Sequence, residues 1–149
     1  MTVISPTVWG SKMWHALHYV SLGYPENPTE DQKRKYKSFY LLLQDVLPCA
    51  VCAGHYAENL KRLPLTDSIM SDREALIKWV IDMHNIVNES KNKPIVPYAI
   101  ARQTIETNAK CDLSHMEIYE QVNTNTSLLY TMIGLLFALV MIAVIYKKH

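Results

Sequence analysis

Residues 72–90 read DREALIKWVIDMHNIVNES. Apolar side chains recur in this stretch every three or four positions, at Leu76, Trp79, Val80, Met83 and Val87. This spacing is the period of an amphipathic α-helix that turns one face to a core. Ser71, followed by Glu74 three residues later, has the pattern of a capping box that starts a helix. We therefore predict a helix from Asp72 to about Ser90.

The same helical period recurs upstream and downstream of this stretch. Clusters that contain Pro and Gly separate the periodic segments, and no segment alternates as a strand would. The predicted helices run from Thr7, which would cap the first, to about Val20; from Glu30, after a Thr29 cap, to about Val46; from Cys49 to Leu63; and from Tyr98 to about Ala109. The expected fold class is all-α, an antiparallel four-helix bundle with a short fifth helix.

The composition limits the classes of function. The chain has 149 residues, of which 49% are hydrophobic and 19% are charged, and its formal net charge is +1. This length suits one small domain. So small a net charge produces no field that would attract phosphates, and we expect no nucleic acid partner.

The C-terminal part of the chain reads LLYTMIGLLFALVMIAVIY from Leu128 to Tyr146 and carries no charge. As a helix this run is about 29 Å long, which matches the ~30 Å hydrocarbon core of a bilayer. Tyr130 and Tyr146 lie near its ends, where interfacial aromatic residues are common. We predict a polar linker at 110–126, a transmembrane helix at 127–146 and a short basic tail at 147–149.

Two orientations of this anchor in the membrane are possible. Lys147 and Lys148 after the span, with Glu117 and Glu120 before it, favour a cytosolic C-terminus. That orientation would carry the N-terminal domain across a membrane, although residues 1–6 lack the character of a signal peptide. A C-terminal tail anchor leaves the domain in the cytosol, and we expect this single-pass arrangement.

Pro48-Cys49-Ala50-Val51-Cys52 places two cysteines three residues apart. Such a pair can close a reactive disulfide, and a helix that starts after Pro48 would favour the attacking thiolate. The same two cysteines, with His55, could instead supply three ligands of a zinc site. A c-type haem would need histidine in place of Ala53, and a thioredoxin motif would need a βαβ unit. The spacing alone leaves the redox and zinc interpretations open.

An oxidase also needs an electron acceptor, and two predicted helices carry groups that suit a flat cofactor. His84 and Asn88 are four residues apart and share one face of the helix at 72–90. Trp14 and His18 share one face of the first helix in the same way. Each face therefore combines a flat ring with polar groups.

Taken together, these motifs resemble the Erv/ALR family of FAD-linked sulfhydryl oxidases over about residues 9–105. The matching motifs are Trp9-Gly10, Trp14-x-x-Leu17-His18, Tyr24-Pro25-x-x-Pro28-Thr29, Pro48-Cys49-x-x-Cys52, and His84-Asn85-x-Val87-Asn88 with Lys93-Pro94. The Trp9-Gly10 opening is most similar to the members carried by large cytoplasmic DNA viruses.

The resemblance implies that residues 1–109 form a FAD-binding oxidase domain and that the protein is a homodimer. Cys52 would lie next to the flavin and Cys49 would exchange with the substrate. Trp14 and His84 would stack near the adenine, and Lys93 would face the phosphates. No metal is expected. The positions implied to line FAD are Gly10, Trp14, His18, Tyr56, His84, Asn85, Val87, Asn88, Lys91 and Lys93.

The resemblance also implies a relay of electrons. A dithiol in a substrate protein or in a small redox shuttle protein would reduce the Cys49–Cys52 disulfide, and FAD would pass the electrons to O2, yielding H2O2. Viral members are associated with disulfide formation in virion proteins, which suits a cytosolic domain anchored in a membrane such as that of a virion.

Two features common in the family are missing from this chain. Ile81 and Tyr98 occupy the positions of a second, stapling disulfide. Cys111 is the one cysteine outside the C-x-x-C motif, so the second cysteine pair that shuttles electrons in many members has no counterpart. We therefore expect direct exchange between Cys49 and a separate redox partner.

Overall fold

The computed structural model describes residues 4–110 and 128–135. The helices of the first range are α1 (Pro6–Leu22), α2 (Glu30–Val46), α3 (Ala50–Arg62), α4 (Asp67–Met70), α5 (Arg73–Ser90) and α6 (98–110). Every regular element in these two ranges is helical, which confirms the all-α class. Five of the helices were predicted, and the four-residue α4 was not.

The first two helices begin at well-defined caps. α1 begins at Pro6, and the Ser5 hydroxyl accepts a hydrogen bond from the Thr7 N–H at 3.3 Å. Thr7 therefore lies inside the helix and is not its cap, because proline suits the first helical position, where an N–H needs no partner. α2 begins as predicted, with Thr29 and Gln32 exchanging hydrogen bonds in a capping box.

The short α4 changes the start of the helix that follows it. α4 is capped by Thr66 and ends at Ser71. Asp72 then caps α5, with one carboxylate oxygen accepting from the N–H groups of Glu74 at 2.7 Å and Ala75 at 3.2 Å. The predicted Ser71–Glu74 capping box is therefore wrong, since Ser71 already terminates α4.

The main core joins α1, α2, α3 and α5. Its fully or nearly fully buried side chains include Leu17, Tyr40, Leu43, Tyr56, Leu76, Trp79, Val80 and Met83. The Tyr40 hydroxyl donates to the Leu17 carbonyl at 3.0 Å, and the Trp79 indole donates to the Leu63 carbonyl at 3.1 Å. These bonds satisfy polar groups that would be costly to bury alone, and they tie neighbouring helices together.

A second cluster holds the N-terminal part of α6 against α5. Its buried residues are Ile77, Ile81 and Ile105, and Tyr98 packs against them. The Tyr98 hydroxyl donates to Glu74 at 2.8 Å, and the Arg102 guanidinium donates to the same carboxylate at 2.9 Å. The chain thus holds Ile81 and Tyr98 by apolar packing and charged hydrogen bonds.

Residues 128–135 form a helix in a separate unit of the chain. Leu128 and Leu135 in this helix are 59% and 63% exposed. Within the two described ranges, no helix has the length and apolar character needed to cross a bilayer. Most of the predicted span at 127–146, the tail at 147–149 and Cys111 lie outside the described residues, so the anchor stays a prediction.

Candidate active site

The two cysteines of the C-x-x-C motif are joined as a disulfide at the start of α3, with their Cα atoms 5.2 Å apart. Cys49 is the N-cap residue, and its sulfur accepts a hydrogen bond from the Cys52 N–H at 3.2 Å. A sulfur in this position faces the positive end of the helix dipole, which favours negative charge on it. Both cysteines are partly exposed. The disulfide is therefore accessible to an external thiol, and the helix N-terminus favours the thiolate that exchange releases.

Tyr56 connects the disulfide helix to the core. It follows Cys52 by one helical turn and is 5% exposed. Its hydroxyl donates to the Tyr40 carbonyl at 3.0 Å, and burial raises the pKa of this phenol, which stays neutral. Tyr56 belongs to the same buried cluster as Met83, and Trp14 packs against that cluster. One core thus borders both the disulfide helix and the aromatic face of α1.

Trp14, His18 and His84 meet where α1 packs against α5. The rings of Trp14 and His84 are stacked, with centroids 4.1 Å apart and planes 6° from parallel. His18 Nε2 lies 3.1 Å from His84 Nδ1, so one N–H is shared between the two imidazoles. The structure therefore brings together three residues that the sequence places on two separate helices.

Both histidines of this pair are neutral at physiological pH. The pKa of His18 is lowered to about 4, mainly by burial and to a smaller extent by the charges of His84 and His15. The pKa of His84 is also lowered to about 4, mainly by burial and to a smaller extent by the charges of Lys93 and His15. The pair thus offers an uncharged aromatic surface with a cation close by, which suits a flat ring that carries phosphates.

The segment after α5 is fastened to that helix by Asn85. The Asn85 side chain donates from Nδ2 to the Val96 carbonyl at 2.9 Å and accepts at Oδ1 from the Val96 N–H at 3.0 Å. Lys93 lies within this segment, and its own N–H donates to the Asn88 carbonyl at 2.9 Å. The side chain of Lys93 is exposed, so it can meet an anionic ligand, and its charge is among the causes that lower the pKa of His84.

This arrangement lies in a part of the chain that matches a known protein family. Residues 11–112 match the model of the Erv1 / Alr family. The chain belongs to the Erv1/Alr family of FAD-linked sulfhydryl oxidases. A viral relative, "Probable FAD-linked sulfhydryl oxidase R368" of Acanthamoeba polyphaga mimivirus, is 46% identical over 103 residues, which cover 69% of this chain and 72% of that protein.

Further Erv1/Alr similarities come from a second virus and from yeast. A relative in Invertebrate iridescent virus 6, named for the same activity, is 36% identical over 107 residues, which cover 69% of this chain and 96% of that protein. The crystal structure of the FAD binding domain of Erv1 from Saccharomyces cerevisiae is 29% identical with a TM-score of 0.58, and the match covers 63% of this chain and 87% of that one. Membership confirms the predicted family, the oxidase activity and FAD as the cofactor.

The residues around the aromatic stack fit FAD. Nδ1 of His18 is buried and has no hydrogen-bond partner within the described part of the chain. A buried nitrogen without a partner is costly, and it points to a ligand that completes the site. One helical turn before Trp14 on the same face of α1, a Cβ added at Gly10 would meet no atom within 4 Å, so this turn of the helix borders open space.

The remaining predicted site residues lie in the C-terminal half of α5 and at its C-cap. Val87 and Asn88 are half-buried in the last turns of α5, whereas Lys91, its C-cap residue, is exposed. Asn85 uses both ends of its side-chain amide to hold Val96, so its observed partner is the backbone of this chain. The individual roles of these residues toward FAD stay predictions.

The described residues do not form the zinc site that was the alternative interpretation of the cysteine pair. Cys49 and Cys52 are bonded to each other, and His55 is exposed on α3. Across residues 4–110 and 128–135, no three His, Cys, Asp or Glu side chains converge as metal ligands would. The geometry favours the redox interpretation of the cysteine pair.

The sequence analysis missed Asn92. Its φ is 53°, and it sits just past the end of α5 with the hydrogen bonds of a Schellman motif: its N–H donates to the Glu89 carbonyl, and the Lys93 N–H donates to the Asn88 carbonyl. A signal was present, because an asparagine shortly after the predicted end of a helix, here two residues beyond Ser90, is typical of this motif. The role of Val96 could not be foreseen, since it acts through its backbone.

Proposed function

We propose that this Erv1/Alr oxidase forms disulfides in protein dithiols by passing their electrons through Cys49–Cys52 to FAD and then to O2. The observation that carries the proposal is the accessible disulfide at the N-terminus of α3, one helical turn before a tyrosine that is buried in the core shared with Trp14. This arrangement supports an electron path from a thiol in solvent, through the disulfide, to a cofactor bound at the face that carries Trp14.

The exchange step uses Cys49 as the sulfur that is attacked. A substrate thiolate attacks the Cys49 sulfur, a mixed disulfide forms, and Cys52 leaves as a thiolate. A second substrate thiolate then attacks the substrate sulfur of the mixed disulfide, and Cys49 leaves as a thiolate. The substrate is oxidised to a disulfide and the C-x-x-C pair is reduced by two electrons. The helix N-terminus favours the negative charge on Cys49 after release.

The chain's own residues would hold the cofactor next to Cys52. When bound, FAD supplies a two-electron acceptor that O2 reoxidises with formation of H2O2. Trp14 and His84 present a neutral stack for the adenine, and the orphan Nδ1 of His18 offers a hydrogen bond. Lys93 supplies the positive charge for the phosphates. Tyr56, buried one helical turn after Cys52, would exclude water from that side of the site.

The substrate is proposed to be a separate thiol protein or a small redox shuttle protein. The C-x-x-C pair uses two of the three cysteines, so an internal shuttle pair cannot form. Named relatives in large DNA viruses support a place in a viral relay that forms disulfides in the cytosol, where thiols are otherwise kept reduced.

We also propose that the oxidase domain forms a homodimer. Phe39, Leu42 and Val46 are 40%, 53% and 65% exposed on α2. Their spacing of three and four residues places them along one face of the helix. An apolar stripe of this kind is typical of an interaction surface. Sedimentation analysis should find a dimer, and Leu42→Lys should shift it to a monomer; a monomeric unaltered protein would reject the proposal.

The localisation proposed is a C-terminal anchor with the oxidase domain in the cytosol, in a membrane that a virion could acquire. The uncharged run from Leu128 to Tyr146 supports it. Protease added to sealed vesicles should digest the N-terminal domain. Full protection of that domain would reject the cytosolic orientation, and release of the protein by alkaline carbonate would reject the anchor.

Anaerobic reduction tests the proposed electron path. Dithiothreitol added without oxygen should bleach the flavin absorbance of the unaltered protein within the turnover time. Cys49→Ser and Cys52→Ser should each remain yellow and bleach far more slowly, whereas Cys111→Ser should bleach like the unaltered protein. Fast bleaching in Cys52→Ser would remove this residue from the path.

A further inference from the structure

We propose that Asn85 and Asn92 are positioning residues that fix the segment 91–97 at both ends and thereby place Lys93 for the phosphates of FAD. This inference rests on the proposed role of Lys93. Neither asparagine needs to touch the cofactor. Each fixes the backbone on one side of Lys93 through hydrogen bonds. Asn92 uses its own N–H, and Asn85 uses its side-chain amide.

Asn92 fixes the N-terminal end of the segment. Its φ of 53° lies in the left-handed region, which asparagine tolerates better than other residues with a side chain. This conformation lets the Lys93 N–H turn back to the Asn88 carbonyl at 2.9 Å, while the Asn92 N–H reaches the Glu89 carbonyl at 3.0 Å. The backbone of Lys93 is therefore held on the last turn of α5.

Asn85 fixes the C-terminal end. Its side-chain amide makes two hydrogen bonds to Val96, one to the carbonyl and one from the N–H, at 2.9 and 3.0 Å. These contacts are part-buried and join positions eleven residues apart. Val96 follows Lys93 by three residues and Pro94 stiffens the chain between them, so little freedom remains for this segment.

The backbone of Lys93 is held close to the face of α5 that carries His84. Its N–H donates to the carbonyl of Asn88, which follows His84 by one helical turn. The charge of Lys93 is also among the causes that lower the pKa of His84. His84 in turn stacks on Trp14. A cation held at the edge of a stack can meet the phosphates of a nucleotide whose adenine lies on that stack.

The test measures the release of FAD from the full-length holoprotein, followed by the rise in flavin fluorescence after dilution. Lys93→Met and Asn92→Ala should each speed release about tenfold, the effect expected for one charge-assisted hydrogen bond. The double variant should release FAD no faster than Lys93→Met alone. Asn92→Gly should stay within about twofold of the unaltered protein, because glycine adopts positive φ without strain.

A second readout separates positioning from a general loss of stability. Release from the unaltered protein should speed up with salt, because salt screens the attraction between Lys93 and the phosphates. This salt dependence should be weakened in Asn92→Ala and Lys93→Met and retained in Asn92→Gly. Asn85→Ala should behave like Asn92→Ala. Asn85→Asp, which keeps the acceptor for the Val96 N–H, should be intermediate.

Three results would overturn the inference. They are additive effects of Asn92→Ala and Lys93→Met, equal release from the alanine and glycine variants at position 92, and no effect of Lys93→Met on release. In each case, a protein that still oxidises dithiothreitol with bound FAD would leave the proposed oxidase function standing. A colourless protein without oxidase activity would instead reject the proposed function itself.

Discussion

His84 lies flat against Trp14, with the ring centroids 4.1 Å apart and the planes 6° from parallel. The two residues belong to different helices, α5 and α1, so this contact exists only in the folded chain. His18 Nε2 shares a hydrogen bond with His84 Nδ1, at the edge of the His84 ring. The contact joins two separate sequence motifs into one aromatic surface, at which we propose that FAD binds.

Removing the indole should weaken cofactor binding. Trp14→Ala should raise the FAD dissociation constant about fivefold to tenfold, since aromatic pairs contribute about 1 kcal/mol beyond the area they bury. Trp14→Phe should retain most of the affinity because it keeps a stacking ring. Titration followed by flavin fluorescence measures both. Equal losses in the alanine and phenylalanine variants would show that stacking is not the cause.

The histidine pair should make folding stability depend on pH. Each pKa is lowered from 6.5 to about 4 in the folded chain, so the unfolded chain binds more protons between these values. The stabilising contribution is thus fully present above about pH 6.5 and is lost as the pH falls toward 4. Because one pKa unit corresponds to about 1.4 kcal/mol, each histidine should account for a loss on the order of 3 kcal/mol.

Urea unfolding at pH 7.5 and at pH 5 measures this loss. His18→Leu removes one member of the pair and should flatten the pH dependence, whereas His55→Leu changes an exposed histidine and should leave it unaltered. A pH dependence that persists in full in the His18 variant would contradict the role of the pair.

The Glu74 carboxylate should contribute more to stability than a carboxylate in a single long surface ion pair. It accepts from both Tyr98 and Arg102, at 2.8 and 2.9 Å. Glu74→Ala should lower the free energy of unfolding by about 1 kcal/mol. The matched control is Glu89→Ala, because Glu89 lies 3.8 Å from Arg62 in an exposed ion pair that should contribute no more than about 0.3 kcal/mol. Equal effects of the two substitutions would refute this difference.

The corrected start of α5 can be tested directly. Asp72→Ala should cost about 1 kcal/mol of folding stability, since it removes the acceptor for two N–H groups. Ser71→Ala should cost less, because the Ser71 hydroxyl donates to the Asp67 carbonyl and does not cap α5. Thermal unfolding compares the two variants. A larger loss from Ser71→Ala would restore the capping box that the sequence predicts.

Helix positions could be predicted because burial imposes the helical period on the sequence. Residues 30–46 show this well, with both bounds as predicted. α4 was missed because its four residues are too few to show a period. The periodic pattern predicts the first cap at Thr7, whereas the structure has it at Ser5, where Pro6 at the first helical position is itself a signal of a helix start.

The sequence predicts which residues form the candidate site better than it predicts which groups those residues contact. The C-x-x-C spacing allows either a disulfide or a zinc site, and the family resemblance favours the disulfide. Trp14, His18 and His84 are indicated by their motifs. Their mutual contact depends on how two helices pack, which periodicity does not specify. The partners of Asn85 and Asn92 are backbone groups, so no side-chain pattern indicates them.

Oxygen consumption with dithiothreitol by the purified yellow protein, compared between the unaltered chain and Cys52→Ser, tests the central claim most directly. The unaltered protein should consume O2 and form one H2O2 per disulfide made. Cys52→Ser should keep the flavin absorbance and consume almost no O2. A flavin-containing Cys52→Ser protein that turns over at the unaltered rate would contradict the claim that electrons reach FAD through the Cys49–Cys52 disulfide.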